Sequence, residues 1–372
     1  LLNLLTDIFD KIMLNNVLSH FGLNPPDYQI QPFGSGLINH TFKVSGKGDE
    51  YILQQINNEV FKSPEYIANN LALIQSYFNK LYPQYLFVGA IPSVSGDFLV
   101  NPSPGKYYRL FPFVKGSQTI NFISNVKEAF EAARQFGRFT YLLKDFDPHK
   151  LKYTLIDFHN LKLRFDQFKS ACRDTDPDRL AKASDEIKEV YNHYNILQTY
   201  NQLITNNEIP VRVIHHDTKI SNVLLDDQEN GLCVIDLDTV MPGYFLSDAG
   251  DMMRTYLSPA NEEETNLSKI HIREDIFNAI YNGYMSEMGG VITEKEKQYF
   301  IYSGELMIYM QAIRFLTDYL NYDIYYEPKY ANHNLNRAKN QFKLLNEFIL
   351  AEDKFRELIA KAEVYSLKLD AK

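Results

Sequence analysis

The sequence predicts an α+β fold in two lobes, a small N-terminal antiparallel sheet and a larger, mostly helical C-terminal part. Three observations predict it. Short alternating segments separated by turn residues fill 1–115. Long stretches with apolar residues at helical spacing fill 116–372. The exception within that second part, Val211 to Asp238, is short, apolar and strand-like.

In chain order, Leu4 to Phe21 has helical periodicity and stops at Gly22, with Pro25-Pro26 just beyond. Tyr28 to Phe33 reads as a strand and Gly34-Ser35-Gly36 as a glycine loop. His40 to Val44 and Tyr51 to Ile56 alternate like strands, with the turn at Ser45 to Asp49. Ser63-Pro64 predicts a capped helix start, running to about Leu81. Phe98 to Val100 and Lys106 to Val114 complete the sheet. Helices are expected over Asn121 to Leu142, Leu155 to Cys172 and Ser184 to Ile204. They resume over Asp248 to Tyr256, Lys269 to Met285, Glu294 to Leu320 and Leu335 to Tyr365.

A chain of 372 residues can bury a large core without covalent staples. Lys plus Arg is 38 and Asp plus Glu is 47, a net charge of -9, which argues against a duplex nucleic-acid binder. The deficit lies wholly after residue 115, where the charge favours a cationic ligand unless local basic groups override it. Cys172 and Cys233 are too few for a disulfide framework and have no metal-type spacing. Leu1 to Phe21 lacks a basic segment followed by a long apolar run, so no signal peptide is expected. No apolar stretch approaches the roughly 18 residues needed to span a membrane. A cytoplasmic protein with a small-molecule ligand, and with neither nucleic acid nor membrane as partner, is the expectation.

The strongest chemical signal is Ile214-His215-His216-Asp217-Thr218-Lys219-Ile220-Ser221-Asn222, followed by Ile235-Asp236-Leu237-Asp238. By composition, His-x-Asp-x-Lys-x-x-Asn arises in such a chain on the order of a few times in a thousand, so chance is a poor account of it. Phosphoryl transfer from ATP needs these groups: an Asp to take the hydroxyl proton, a cation for the moving phosphoryl group, and an amide oxygen and a carboxylate to hold Mg2+. Asp217 supplies the base, Lys219 the cation, and Asn222 and Asp236 the metal ligands. His215 reads as a structural histidine. Adjacent residues on a strand point to opposite sides, which disfavours a metal site at His215-His216.

Gly34-Ser35-Gly36 between two strands can lay backbone N–H groups over phosphates. It is neither a dinucleotide fingerprint nor a Gly-Lys-Ser/Thr phosphate loop. The apolar stretch Leu110-Phe111-Pro112-Phe113-Val114 suits an adenine edge, with Phe111 and Phe113 as walls.

With these motifs in place, the chain resembles the aminoglycoside phosphotransferase and choline kinase-like family, and within it the N-acetylhexosamine 1-kinases. The similar stretches include Gly34-Ser-Gly-Leu-Ile-Asn39, Tyr51-Ile-Leu-Gln-Gln-Ile-Asn57 and His216-Asp-Thr-Lys219. They continue with Ile235-Asp-Leu-Asp-Thr-Val-Met-Pro-Gly243, Asp248-Ala-Gly-Asp251 and Arg314-Phe-Leu-Thr-Asp-Tyr-Leu320. The resemblance implies a protein-kinase-like fold and MgATP-dependent phosphorylation of a sugar at its anomeric hydroxyl. It implies that Asn39 and Gln54 belong to the nucleotide side and that Arg314 reaches the sugar. It also implies that Asp248 and Asp251 brace the catalytic loop, with Arg254 as their partner.

Two positions depart from the family pattern. Gln54 and Gln55 stand where kinases carry a strand lysine for the α and β phosphates. Leu37 stands where the sugar kinases have a histidine that contacts the sugar, and a leucine cannot hydrogen-bond a hydroxyl. Two alternatives therefore stay open: an aminoglycoside- or choline-type kinase, and a nucleotide-binding pseudokinase.

Overall fold

The computed structural model describes residues 12–34 and 38–370. The predicted α+β class is what it shows, a five-stranded antiparallel sheet followed by a mainly helical part. The chain divides into two compact units. Residues 1–117, 149–156 and 233–241 form the first, and 118–148, 157–232 and 242–372 form the second. The units interleave in sequence, so Asp236 belongs to the first.

In the first unit, helix α1 is described over 12–20 and ends in a turn at Gly22, whose φ of +72° needs a residue without Cβ strain. The strands are β1 (Gln29–Pro32), β2 (His40–Gly46), β3 (Asp49–Ile56), β4 (Val100–Ser103) and β5 (Lys106–Pro112). Their order across the sheet is β1-β2-β3-β5-β4. Alternation sorts the side chains by face. Val44, Leu53, Tyr108 and Leu110 pack with Leu14, Val17 and Leu18 of α1, Phe21 just after it, and Val100 of β4 into one core. Their neighbours Thr41, Gln54 and Arg109 therefore line the other face. Helix α2 (Pro64–Leu81) has the predicted bounds, but the Ser63 side chain makes no capping bond and only its carbonyl is used, by Tyr66 N.

The second unit opens with α3 (Val126–Leu142), started by a capping box between Asn125 and Glu128. Helices α4 (Leu161–Asp174), α5 (Pro177–Lys182), α6 (Ser184–Asn192) and α7 (Tyr194–Thr205) follow. The region predicted as strand-like holds β6 (Arg212–Ile214), β7 (Val223–Leu225) and β8 (Gly231–Val234), and β9 (Met241–Gly243) comes next. Then come α8 (Phe245–Tyr256), α9 (Glu274–Met288), α10 (Glu294–Gln298), α11 (Phe300–Leu320), α12 (His333–Leu350) and α13 (Glu352–Asp370).

Three predicted helices are each split in two, at His193, Tyr299 and Ala351, where periodicity continues through a one-residue kink. Another starts late: Leu155 was expected inside a helix, but Asp157 takes a left-handed φ of +54° and Asn160 caps α4. That late start frees Phe158 and His159 to lie near His216, in the loop after β6. The core of this unit is α11, with seventeen buried residues, packed on α8, α12 and α4.

Candidate active site

The loop after β6 carries Asp217, Lys219 and Asn222 together. Lys219 Nζ lies 2.9 Å from Asp217 Oδ2, and Asn222 Nδ2 donates to the Asp217 carbonyl and to Oδ2, both at 2.9 Å. Burial pushes the Asp217 carboxyl up, but the Lys219 ammonium outweighs it, helped by His215 and by the Asn222 bond, and the carboxyl ends below the usual carboxylate range. It is held ionised and able to take a proton.

The loop is braced from α8. Asp248 accepts the backbone N–H of His215 at 3.0 Å and of His216 at 2.7 Å. Asp251 Oδ2 accepts the N–H of Thr218 at 2.9 Å, and its other oxygen takes Arg254 Nε at 2.9 Å. Arg254 also reaches Glu262 at 2.9 Å, and Glu262 in turn pairs with Arg337. Burial pushes Asp248 up to about 7 and also raises Asp251. α8 can come this close to α11 because Gly250 has no side chain: a Cβ there would sit 2.0 Å from the Ser303 carbonyl oxygen. His215 is fully buried, edge-on to Phe136 at 5.1 Å, and its Nδ1 accepts the Asp217 N–H at 3.3 Å, as befits a structural histidine.

On α11, Arg314 donates to Gln311 Oε1 at 3.1 Å and stands among three rings, with Phe158, Tyr326 and Tyr325 at 5.5, 5.6 and 6.0 Å from its guanidinium carbon. Among the described residues no carboxylate pairs with it in an ion pair. His159 stacks on Phe158 at 4.3 Å and lies 5.4 Å from the ring of His216. Burial, then the nearby His216 and Arg314, hold its imidazole well below the ordinary histidine range, so it is neutral. Its Nδ1 is buried and has no hydrogen-bond partner among the described residues. Sequence reasoning missed His159, because no motif marks it.

The first unit gathers the nucleotide-side residues expected from sequence. Gln54 Nε2 donates to Thr41 Oγ1 at 3.1 Å, and Asn39 Nδ2 donates to Asp238 Oδ2 at 2.7 Å. Phe111 lies 5.0 Å under the Arg109 guanidinium. Phe113 meets Phe33 edge-on at 6.0 Å and carries Lys43 Nζ 4.0 Å above its ring. Gly34 has a φ of +77°. Ser35, Gly36 and Leu37 lie outside the described residues. Asp236 has a left-handed φ of +59° and opens the short turn Leu237–Thr239.

Arg109 and Asp238 form a buried ion pair at 2.5 Å that sequence reasoning missed. The signal was present: an arginine inside Tyr107-Tyr108-Arg109-Leu110-Phe111, an otherwise apolar and aromatic strand.

The fit to Mg2+ can be tested on the donor set. Among the described residues no group of three or more His, Cys, Asp or Glu converges as a metal site. A hard cation that shares its shell with phosphates needs only one or two protein oxygens. The Asn222 amide donates to Asp217 twice through its nitrogen, and its carbonyl oxygen suits a cation. The residues fit.

Comparison with known proteins bears on the fold and the family. Among solved structures, a microcompartment-associated aminopropanol kinase aligns with a TM-score of 0.61 at 12% identity, over 92% of this chain and 98% of that one. Amicoumacin kinase hAmiN in complex with AMP-PNP, Ca2+ and Ami aligns with a TM-score of 0.61 at 13% identity, over 92% and 96%. The choline kinase of Cryptosporidium parvum Iowa II aligns with a TM-score of 0.55 at 14% identity, over 95% and 97%. At such identities these likenesses show the fold. The family itself is shown by sequence, since residues 29–273 match the model of the APH phosphotransferase enzyme family, and the chain belongs to that family.

Proposed function

We propose that this protein transfers the γ-phosphoryl group of ATP to a sugar hydroxyl, most specifically the anomeric hydroxyl of an N-acetylhexosamine or a related sugar. One observation carries the reading: an ionised Asp217, gripped by Lys219 and Asn222, on a loop braced by Asp248 and Asp251.

In this reading Asp217 hydrogen-bonds the acceptor hydroxyl and takes its proton as the bond from that oxygen to the γ-phosphorus forms. The bond from the γ-phosphorus to the bridging oxygen breaks, and ADP leaves with the electron pair. Lys219 releases its grip on Asp217 to offset charge on the phosphoryl group. Asn222 and Asp236 hold Mg2+, which neutralises charge on the phosphates when bound. Gly34, Ser35, Gly36 and Asn39 cover the phosphates, and Gln54, Phe111 and Phe113 serve the nucleotide side. Arg314 takes the acceptor, and the sequence has Leu37 where the sugar kinases have a polar group. Catalysis comes from positioning and electrostatics, without a covalent intermediate. A cytoplasmic location is part of this reading, since ATP is abundant there.

A cationic acceptor of the aminoglycoside or choline type is the second reading, supported by the acidic charge after residue 115. The Arg314 guanidinium, without a carboxylate partner among the described residues, favours the sugar, because it repels an ammonium group. A pseudokinase is the third reading, and rests only on Gln54 and Gln55 standing where kinases carry the strand lysine.

The deciding experiment incubates the protein with MgATP and a panel of sugars, amino sugars, aminoglycosides and choline, with products read by mass spectrometry and phosphorus NMR. A sugar 1-phosphate made by the wild type and not by Asp217→Asn is the expected result. A phosphorylated amine instead would replace the sugar reading, and nucleotide binding with no product from any acceptor would replace the kinase.

A further inference from the structure

Thr41, Gln54 and Arg109 stand abreast on β2, β3 and β5, in register Thr41↔Gln54 and Gln54↔Arg109. Their side chains share the sheet face that α1 leaves uncovered. Gln54 lies in the stretch where kinases carry their strand lysine. Arg109 fills the place from the next strand. Its Nε and Nη2 donate to Gln54 Oε1 at 3.2 and 2.9 Å, and Nη2 lies 2.5 Å from Asp238 Oδ1.

The pair is deeply buried, with Arg109 and Asp238 only 3% and 2% exposed. Arg109 Nη1 is buried with no hydrogen-bond partner among the described residues. Apolar side chains of equal volume stabilise a core at least as well as such a pair, so stability alone is a weak reason to keep it. The second oxygen of Asp238 takes Asn39 Nδ2 at 2.7 Å, and Asn39 Oδ1 takes the N–H of Asn57 at 3.0 Å. Two residues further, the Val240 carbonyl accepts Asn70 Nδ2 of α2 at 3.1 Å. The turn that starts at Asp236 is thus tied down at both Asp238 and Val240. Its first residue is in the left-handed region, where a non-glycine residue persists only if its surroundings hold it.

We propose that Arg109 takes over from the absent strand lysine as a positioning residue. By locking Asp238 it fixes the turn from which Asp236 presents its carboxylate to the Mg2+ of the nucleotide, and Gln54 serves as the acceptor that orients the guanidinium. This rests on the reading of Asp236 as a metal ligand.

The test measures Mg2+-dependent binding of mant-ATP and, in parallel, phosphoryl transfer, for wild type, Arg109→Lys, Arg109→Met and the double variant Gln54→Lys/Arg109→Met. Arg109→Met is expected to raise the Mg2+ concentration for half-maximal binding about tenfold, with the KM of the acceptor changed less than twofold. Arg109→Lys, which keeps the charge and loses the fork, is expected to fall between and covers the case in which the methionine variant does not fold. The double variant, which moves the cation back to β3, is expected to regain most of the loss. A folded Arg109→Met with wild-type Mg2+ dependence and a lowered melting temperature overturns the proposal, because that is the behaviour of a merely structural pair. So does a double variant no better than the single one. Wild type that binds mant-ATP with Mg2+ but transfers no phosphate sinks the kinase reading alone, and the binding series still decides the role of Arg109. Wild-type binding that is indifferent to Mg2+ overturns the proposal directly.

Discussion

Asn222 donates to Asp217 twice from one nitrogen, to its backbone carbonyl and to its carboxylate, each at 2.9 Å. One residue thereby sets both the loop conformation and the direction of the Asp217 carboxylate, the proposed base, while its own carbonyl oxygen suits a cation. The pair joins the two halves of the proposed chemistry, proton removal and metal binding, through a spacing of five residues.

Asp217→Asn is expected to lower kcat by roughly 10²–10⁴-fold, the usual contribution of a positioned general base. The KM for ATP should change little, since the carboxylate acts on the acceptor. Steady-state kinetics with a melting curve as control checks this. A variant with wild-type kcat would remove Asp217 from its role.

Arg254→Met tests the bracing network. Removing the guanidinium leaves Asp251 and Glu262 without the cation both contact at 2.9 Å. Breaking a buried pair in this way costs about 3–5 kcal/mol. Arg337 still serves Glu262, which places the expected loss at the lower end of that range. Urea unfolding measures it.

Gly250→Ala is expected to destabilise the helical unit by about 1–3 kcal/mol or more, the usual range for overpacking. The contact of 2.0 Å is with the backbone oxygen of Ser303, which has no rotamer to move away. Pushing α8 off α11 also displaces Asp248 and Asp251, so activity should fall with stability. A fully stable variant would contradict the close packing of these helices.

Asp248 predicts a pH signature. Its folded pKa, about 7, lies above its ordinary value of 3.8, so between those values the folded state holds more protons than the unfolded state. Stability from this group is complete below about pH 4 and is lost as pH rises to about 7. Asp248→Asn does not titrate there. Melting temperatures from pH 4 to 8 should show wild type losing ground relative to the variant as pH rises, then levelling off. A constant difference across that range would show that Asp248 is not shifted.

Arg314→Gln is expected to raise the KM for the acceptor about tenfold or more and leave the KM for ATP unchanged, as expected when binding to the acceptor is lost. Arg314→Glu is expected to favour amine acceptors over neutral ones. If Arg314→Gln left the acceptor KM unaltered, Arg314 would lie outside the acceptor site.

What the sequence determined by itself are the features that live on short range. Alternation set the five strands, and helical spacing together with Pro64 and Gly22 set several helix limits, because side-chain periodicity is a local property. The candidate catalytic loop was legible because Asp217, Lys219 and Asn222 lie within six residues of one another. The one-residue kinks at His193, Tyr299 and Ala351 were not legible, because periodicity runs on across them. What only the tertiary structure decided are the partnerships between distant segments. Asp238 meets Arg109 and Asn39 across 129 and 199 positions, Asp248 reaches His215 across 33, and Phe158 leaves its expected helix to meet Arg314. A buried charge must find a counter-charge or N–H donors, but the chain names its partner only once the fold has brought distant strands and helices together.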